Sequence, residues 1–428
     1  MSAAVERPLT GDLRPDGEPL SLAEYERAGG YRALRLVLGG LTSEAVIGTV
    51  KAANLRGRGG AGFPAAVKWA LMPSGKDARH PAYIVVNADE MEPGSFKDRH
   101  LLEGNPHQLI EGLVIAAFAV RADIGWIFLR WAYKRSAARL EKAVREAYEA
   151  GYLGRDILKS GYSLEVLIHK GVGRYMCGEE TGLLNALEGR RVVPRVKPPF
   201  PQVSGLFGQP TLINNVETLS CVPHIISRGP EWFLGLSRTP DGGTKVYGIS
   251  GRVKRPGIYE LPMGTPLREI LDLHAGGMRD GFGFRGLLPG GASTDFMAGE
   301  QLDIPLDFSS GMSSGSRLGT GTIIVLDDRT CPVGFVLNLE AFFARESCGW
   351  CTPCRDGLPW VVKTLRAIED GRGEPEDLAV LDHHASALGP GRTFCALAPG
   401  AMEPLQSALR LFRADFERHI KDGRCPWK

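Results

Sequence analysis

Three short apolar runs, AYIVVNADE (Ala82 to Glu90), IGWIFLRW (Ile124 to Trp131) and LEVLIHKG (Leu164 to Gly171), alternate with stretches of helical character. An apolar helix-like stretch around Leu109 to Val120 separates the first two runs. Between the second and third lies SAARLEKAVREAYEAG, amphipathic and stopped by Gly151. Buried strands read as continuous apolar runs, and strands alternating with helices predict a parallel α/β sheet. Such sheets bind ligands outside the carboxyl ends of their strands. Acidic residues stand at those ends: Asp89, Glu90 and Glu92 after the first run, and the GEET turn, Gly178 to Thr181, after the third. Either Glu179 or Glu180 could instead simply stabilise a helix N-terminus, an effect of a few tenths to ~1 kcal/mol.

Ahead of the first strand stands GRGGAGFPAAVKW, Gly57 to Trp69. Gly57, Gly59 and Gly62 satisfy the G-x-G-x-x-G pattern of dinucleotide-binding folds. That fingerprint belongs directly after a strand. Here the preceding TSEAVIGTVKAANLR places Val46, Ile47, Val50 and Ala53 at helical spacing behind a Thr42/Ser43 cap, so the loop joins two helices. Glycines let a ligand approach backbone N–H groups without meeting a Cβ, and Pro64 suits the first turn of a helix whose free N–H groups face back to the loop. Arg58 and Lys68 are expected to add positive charge. An anionic or flat aromatic ligand is favoured over a flexible surface turn.

The chain has 428 residues, a formal net charge of +2 and no block of like charges, which argues against a nucleic-acid stripe or a polybasic membrane anchor. Its longest apolar run, Leu113 to Val120, is far short of the ~20 residues a bilayer span needs. The N-terminal MSAAVERPLTGDLRPDGEPL has no apolar signal core, and the chain reads as cytosolic. The segment KPPFPQVSGLFGQPTLINNVET, with Lys197, Phe200, Asn214 and Asn215, reads as a long structured loop over a pocket.

From Thr244 the pattern changes to short strands and turns with one helix, Pro266 to Leu273. Beyond Val333 it turns helical, at Val333 to Glu346, Leu358 to Glu369, Pro375 to Leu388 and Met402 to Ile420. Three domains are expected: 1–238, 239–332 and 333–428. In the last, ESCGWCTPCRDG spaces Cys348, Cys351 and Cys354 by two residues, and Cys395 follows in GRTFCALAPG. Disulfides are not expected in a cytosolic chain. Structural zinc sites usually use separated ligand pairs, whereas three thiolates at this period wrap a polynuclear cluster of the [4Fe–4S] kind; zinc is the alternative. Cys177, Cys221, Cys331 and Cys425 read as small buried or tail residues rather than ligands. An iron–sulfur cluster takes single electrons and a nicotinamide delivers a hydride, so a flavin held by the glycine loop would link the two.

Together GRGGAGFP, NADEMEPGSFKDR, GRYMCGEET, KPPFP, NNVET and ESCGWCTPCRDG resemble the NADH-binding flavoprotein subunit of respiratory complex I, over about Leu20 to Arg418. The resemblance implies a parallel Rossmann-like α/β domain, a ubiquitin-like β-grasp domain of SLBB type and a helical bundle carrying the cluster. It implies an FMN cradle of Gly57, Gly59, Gly60, Lys68, Asn87, Asp89, Tyr175, Gly178, Glu179, Asn214, Asn215 and Thr218. It further assigns NADH contacts to Phe63, Glu92, Glu180, Lys197 and Phe200, and a [4Fe–4S] cluster to Cys348, Cys351, Cys354 and Cys395. The chemistry would be cofactor-borne, with Glu92 and Glu180 positioning rather than transferring protons. Implied partners are a thioredoxin-like [2Fe–2S] subunit and a large iron–sulfur subunit, with quinone as the final acceptor. Membrane contact, on the inner face of the cell membrane, would come only through that complex. Diaphorase subunits of NAD-linked formate dehydrogenases and hydrogenases share these motifs, and a non-catalytic metal-binding interaction module is the rival of another class. Two departures stand out: Ala65-Ala66 where Thr-Gly or Ser-Gly is common, and Leu71 where some members place an aromatic.

Overall fold

In the computed structural model, which describes residues 6–310 and 315–428, the three apolar runs become neighbouring strands. They are β1 (Tyr83–Ala88), β2 (Ile124–Arg130) and β3 (Glu165–Gly171). A fourth strand, β4 (Thr211–Asn215), lies inside the segment expected to be a loop. The order is β3-β2-β1-β4 and every pairing is parallel, with Val86 opposite Asn214 and Asn87 opposite Asn215. Residues 1–5, the start of the stretch read for a signal peptide, and 311–314 lie outside the described residues.

The helices behave as their patterns dictate. Lys134–Glu149 buries only the stripe Ala137, Leu140, Ala143, Val144 and Ala147 together with Ser136, while Pro106–Ala119 is buried on nearly all sides. The latter starts with Pro106 in its first turn behind Asn105, whose side chain accepts the Gln108 N–H. It packs tightly against the helix Val216–Arg228: a Cβ on Gly112 would come within 2.0 Å of the Leu219 carbonyl oxygen.

The chain divides into two compact units. One holds the parallel sheet and comprises the chain up to Met91, Phe96–Val246 and Glu260–Gly264; the other comprises Glu92–Ser95, Tyr247–Tyr259 and Thr265–Lys428. The second sheet, ordered β6-β5-β8-β7, is built from β5 (Thr244–Ser250), β6 (Gly257–Pro262), β7 (Phe284–Leu288) and β8 (Thr322–Asp327). Parallel pairing of β5 with β8 and antiparallel pairing of β7 with β8 give the mixed sheet of the β-grasp class. Its helix begins as Leu267–Glu269 and continues as a π-helical turn, Ile270–His274.

Five helices follow: Pro332–Glu346, Thr352–Glu369, Pro375–Ala387, Leu397–Leu411 and Arg413–Asp422. The single helix expected over Met402 to Ile420 is therefore two. Phe412 breaks it, leaving helical geometry (φ −120°, ψ 21°) and burying its ring edge-on to Phe296 at 5.2 Å. Tertiary packing here overrides an uninterrupted helical pattern.

Candidate functional site

The chain runs β1, β2, β3 toward one edge of the sheet and then returns to place β4 on the other side of β1. The switch point therefore falls between β1 and β4, at whose carboxyl ends a crevice is expected. Asn87 is the last residue but one of β1 and pairs in register with Asn215, the end of β4. The helix Val216–Arg228 starts there, and Thr218 in its first turn accepts the Arg58 N–H at 2.8 Å, tying the glycine loop to the switch point. Gly57 N–H donates to the Phe63 carbonyl at 2.9 Å and closes the loop. Gly60 and Gly62 adopt φ +127° and +67°, which side chains other than glycine's rarely allow. A Cβ on Gly59 would press to 3.3 Å from the Asn215 Cβ. The loop does join two helices, Ser43–Ala52 and Ala65–Ala70, the first capped by Thr42.

The residues fit a flavin nucleotide. Asn214 is buried, yet its Nδ2 finds no hydrogen-bond partner among the described residues, a donor that a ligand oxygen would satisfy. Gly178 faces open space where a Cβ would stand, and the half-buried Tyr175 begins the single turn Tyr175–Gly178 before it. Asn87 is oriented by its own strand neighbourhood: its Nδ2 donates to the Cys177 carbonyl at 3.0 Å, and its Oδ1 accepts the Asp89 N–H at 3.1 Å.

Beside the loop is a group of alternating charges. Lys68 Nζ lies 2.6 Å from Glu180 Oε2, and Lys197 Nζ lies 2.9 Å from Glu180 Oε1 and 3.1 Å from Glu179 Oε1. Burial alone would raise the Glu180 carboxyl, but the two lysines outweigh it and hold it below the usual carboxylate range. Glu179 differs from its neighbour. Its Oε2 accepts the N–H groups of Thr181 and Gly182 at 2.9 and 2.8 Å, capping the helix Glu180–Leu187. Thus the capping explanation holds for Glu179, while Glu180 presents its carboxylate to two lysines. Phe63 and Phe200 are 51% and 52% exposed, unusual for aromatic rings in a folded core. Leu71 is likewise exposed, and Ala65 and Ala66 are buried.

Arg58 does not supply ligand-facing charge as expected. Its side chain is fully buried, with Nη2 donating to the Gly242 carbonyl at 2.7 Å. It belongs to a buried charged network that the sequence reading missed: Lys97 Nζ lies 2.6 Å from Asp98 and 2.8 Å from Glu217, and Lys245 Nζ lies 2.8 Å from Glu217. Asn215 joins this network, donating to Asp98 at 2.6 Å and accepting the Glu217 N–H at 3.0 Å. Part of the signal is present in FKDR and NNVET, where charges sit beside apolar strand and helix starts, but burial of the five charges Arg58, Lys97, Asp98, Glu217 and Lys245 cannot be read from spacing. Glu90 also proves structural, accepting the N–H groups of Lys97 and Asp98 at 2.8 and 3.1 Å at the start of the helix Lys97–Gly104.

Glu92 falls in the second unit, where its carboxylate accepts the Ser293 N–H at 2.7 Å and Gly291 leaves room for it. The same unit carries the cysteine trio. Gly349 at φ +74° turns the chain after Cys348, Cys351 is the N-cap of the helix Thr352–Glu369, and Cys354 is in its first turn. Cys395 is drawn to the trio by Trp350, whose ring meets Phe394 edge-on at 6.3 Å. Burial pushes the Cys354 thiol up to about 11; Ser347 partly offsets this by hydrogen bonding, and the nearby sulfurs of Cys351, Cys395 and Cys348 add to it. Three sulfurs close enough to act on a fourth make an all-thiol donor set of the kind that holds a [4Fe–4S] cluster.

Residues 50–224 match the family model of the Nuo51 FMN-binding domain, 334–419 that of the NADH-ubiquinone oxidoreductase-F iron–sulfur binding region, and 246–291 the SLBB domain. Fold and site thus define a redox protein that carries FMN and a [4Fe–4S] cluster and takes NADH as substrate. The chain is 54% identical over 97% of its length, and 93% of theirs, to the F subunits of the NADH-quinone oxidoreductases of Salmonella typhimurium and Escherichia coli. It belongs to the family of these F subunits and serves as the NADH dehydrogenase component of a multi-subunit complex. Among solved structures, an NAD+-reducing [NiFe]-hydrogenase chain aligns with a TM-score of 0.81 at 33% identity, covering 98% of this chain and 67% of the other. Among the described residues no helix is long and apolar enough to cross a membrane.

Proposed function

We propose that the crevice between β1 and β4 is the FMN site and that the Lys68–Glu180–Lys197 group, with Phe63 and Phe200, receives NADH beside it. One observation carries this: the glycine loop is tied through Thr218 to the carboxyl ends of the two strands flanking the switch point, where Asn214 keeps a buried amide donor in reserve. Gly57, Gly59 and Gly60 offer backbone N–H groups, Lys68 a cation, and Asn87, Asp89, Tyr175, Gly178, Glu179, Asn215 and Thr218 the walls. Bound there, FMN would supply the exchange between two-electron hydride chemistry with NADH and single-electron chemistry with the [4Fe–4S] cluster. The protein's part is orientation and electrostatics. The two lysines keep Glu180 ionised, so its carboxylate can hold a nucleotide hydroxyl, and exposed rings at positions 63 and 200 offer flat surfaces for the nucleotide bases.

Cys348, Cys351, Cys354 and Cys395 would hold the cluster, and the chain would comprise three functional parts: 1–238 for flavin and nucleotide, 239–332 as the β-grasp, and 333–428 for the cluster. A thioredoxin-like [2Fe–2S] subunit and a large iron–sulfur subunit would accept the electrons, on the inner face of the cell membrane. The direct test is Asn214→Leu. Loss of one buried hydrogen bond, about 1–3 kcal/mol with desolvation, predicts FMN held roughly 5- to 150-fold more weakly. Iron content should be unchanged. Full FMN occupancy after dilution and gel filtration would overturn the placement.

A further inference from the structure

We infer that the second unit holds a further metal site, distinct from the cysteine trio, in which Cys331, Glu369, His419 and Cys425 bind one zinc ion. Among the described residues these four form the tight group of metal-ligating side chains: one ligand atom from each lies within 4.8 Å of all the others. Cys331 Sγ is 3.2 Å from Glu369 Oε2 and 3.3 Å from His419 Nε2, and those two atoms are 3.3 Å apart. A zinc ion with bonds of about 2.3 Å to sulfur and 2.0–2.1 Å to nitrogen or oxygen would have neighbouring ligands about 3.3–3.8 Å apart. The three atoms thus already form a face of close to the required size, and Cys425 is the fourth corner.

The surroundings prepare each ligand. His419 Nδ1 is 2.6 Å from the Asp415 carbonyl, which can only accept, so Nδ1 carries the proton and Nε2 turns its lone pair toward the other ligands. Trp427 stacks on the imidazole at 5.7 Å and 15°, holding the ring plane. The Gly334 N–H donates to Cys331 Sγ at 3.2 Å, an interaction that favours thiolate. Lys428 Nζ pairs with Glu369 Oε1 at 2.9 Å and leaves Oε2 for the metal. Two thiolates and a carboxylate against a divalent ion leave one negative charge, which Lys428 balances. Two soft sulfurs with a nitrogen and an oxygen, all from the protein, make a closed donor set of the structural zinc type.

The ligands come from the N-cap of Pro332–Glu346, the last residue of Thr352–Glu369, the helix Arg413–Asp422 and the tail beyond it. Since Cys354 and Glu369 are on one helix, 15 residues apart at 1.5 Å rise, the two sites are about 22 Å apart along it. Zinc here would pin the C-terminal tail across the bundle that carries the cluster. This departs from the reading of Cys331 and Cys425 as small buried or tail residues.

The test is metal content and zinc-edge X-ray absorption on the complete cofactor-loaded protein, purified without chelator. About one zinc per chain is expected in addition to cluster iron, with two sulfurs at about 2.3 Å and two nitrogen or oxygen neighbours at about 2.0–2.1 Å. Cys425→Ser and His419→Gln should each lose the zinc while keeping FMN and iron. The spectrum of the unsubstituted protein decides the matter even if a variant misfolds. A protein with full iron that neither contains zinc nor takes it up after thiol reduction would overturn the site. So would a Cys331–Cys425 disulfide in that protein, or zinc ringed by four sulfurs, which would mark occupation of the cluster position.

Discussion

Glu179 and Glu180 are adjacent in sequence and of one chemical type, yet the fold gives them different work. At the N-terminus of Glu180–Leu187 only Glu179 can reach back to the free N–H groups of Thr181 and Gly182, and it does so at 2.9 and 2.8 Å. Glu180 is turned instead to Lys68 and Lys197. Glu179→Ala should therefore lower stability by about 0.5–2 kcal/mol, the range for a lost N-cap. Glu180→Gln, which keeps the shape but removes the charge, should raise KM for NADH roughly 10- to 150-fold if a charge-assisted bond of about 1.5–3 kcal/mol to the nucleotide is lost. Thermal melts beside steady-state kinetics separate the two. A Glu180 variant with unchanged KM and a lowered Tm would place both residues in the cap.

Among elements, the helix Val216–Arg228 connects the deepest packing to the site. Its N-terminus presents Asn215 and Thr218, and Glu217 in its first turn sits fully buried between Lys97 and Lys245. Burial would raise the Glu217 carboxyl, but Lys245, Lys97 and Arg58 outweigh it and bring it down to about 2. An unfolded glutamate titrates near ~4.3. Since the folded value is the lower one, this stabilisation is fully present above ~4.3 and is lost as pH falls toward 2, about 3 kcal/mol in all. Glu217→Gln should flatten the acid limb of a Tm-against-pH curve over that window. At neutral pH it should cost about 3–5 kcal/mol, because two buried ammonium groups lose a partner. An acid limb identical to that of the parent protein would show that the network does not carry the stability assigned to it. The same element shows where sequence reading stops. Strands β1 to β3 announce themselves as apolar runs, but TLINN ends in two asparagines and follows a proline- and glycine-rich stretch, so β4 reads as loop until its parallel pairing with β1 is seen. The proposed site's glycines, Lys68 and cysteine trio stand out in the sequence because clusters of these residue types are unusual without a purpose. The partition between Glu179 and Glu180, the inward turn of Arg58 and the convergence of Cys331 with Cys425 depend on long-range packing and were not.

For the whole molecule the decisive property is the division into two compact units, between which the proposed flavin and cluster residues are split. The residues proposed to hold flavin lie in one, and Cys348, Cys351, Cys354 and Cys395 all lie in the other. If that separation is functional, Cys354→Ala should abolish the cluster yet leave FMN bound and reducible by NADH, because no group of the crevice depends on the thiol. Ferricyanide, small enough to meet reduced flavin directly, should still be consumed at a comparable rate, while transfer to iron–sulfur partners or to quinone should collapse. Folding must be followed in the same samples, since bound metal contributes to the stability of a small helical domain. Here the proposed zinc site is useful: it lies at the other end of the helix that begins beside Cys351, so a variant that retains zinc and FMN but lacks cluster iron is folded at both sites. Such a variant failing to bleach with NADH would sink the division of labour. One that still fed quinone normally would remove the cluster from the electron path.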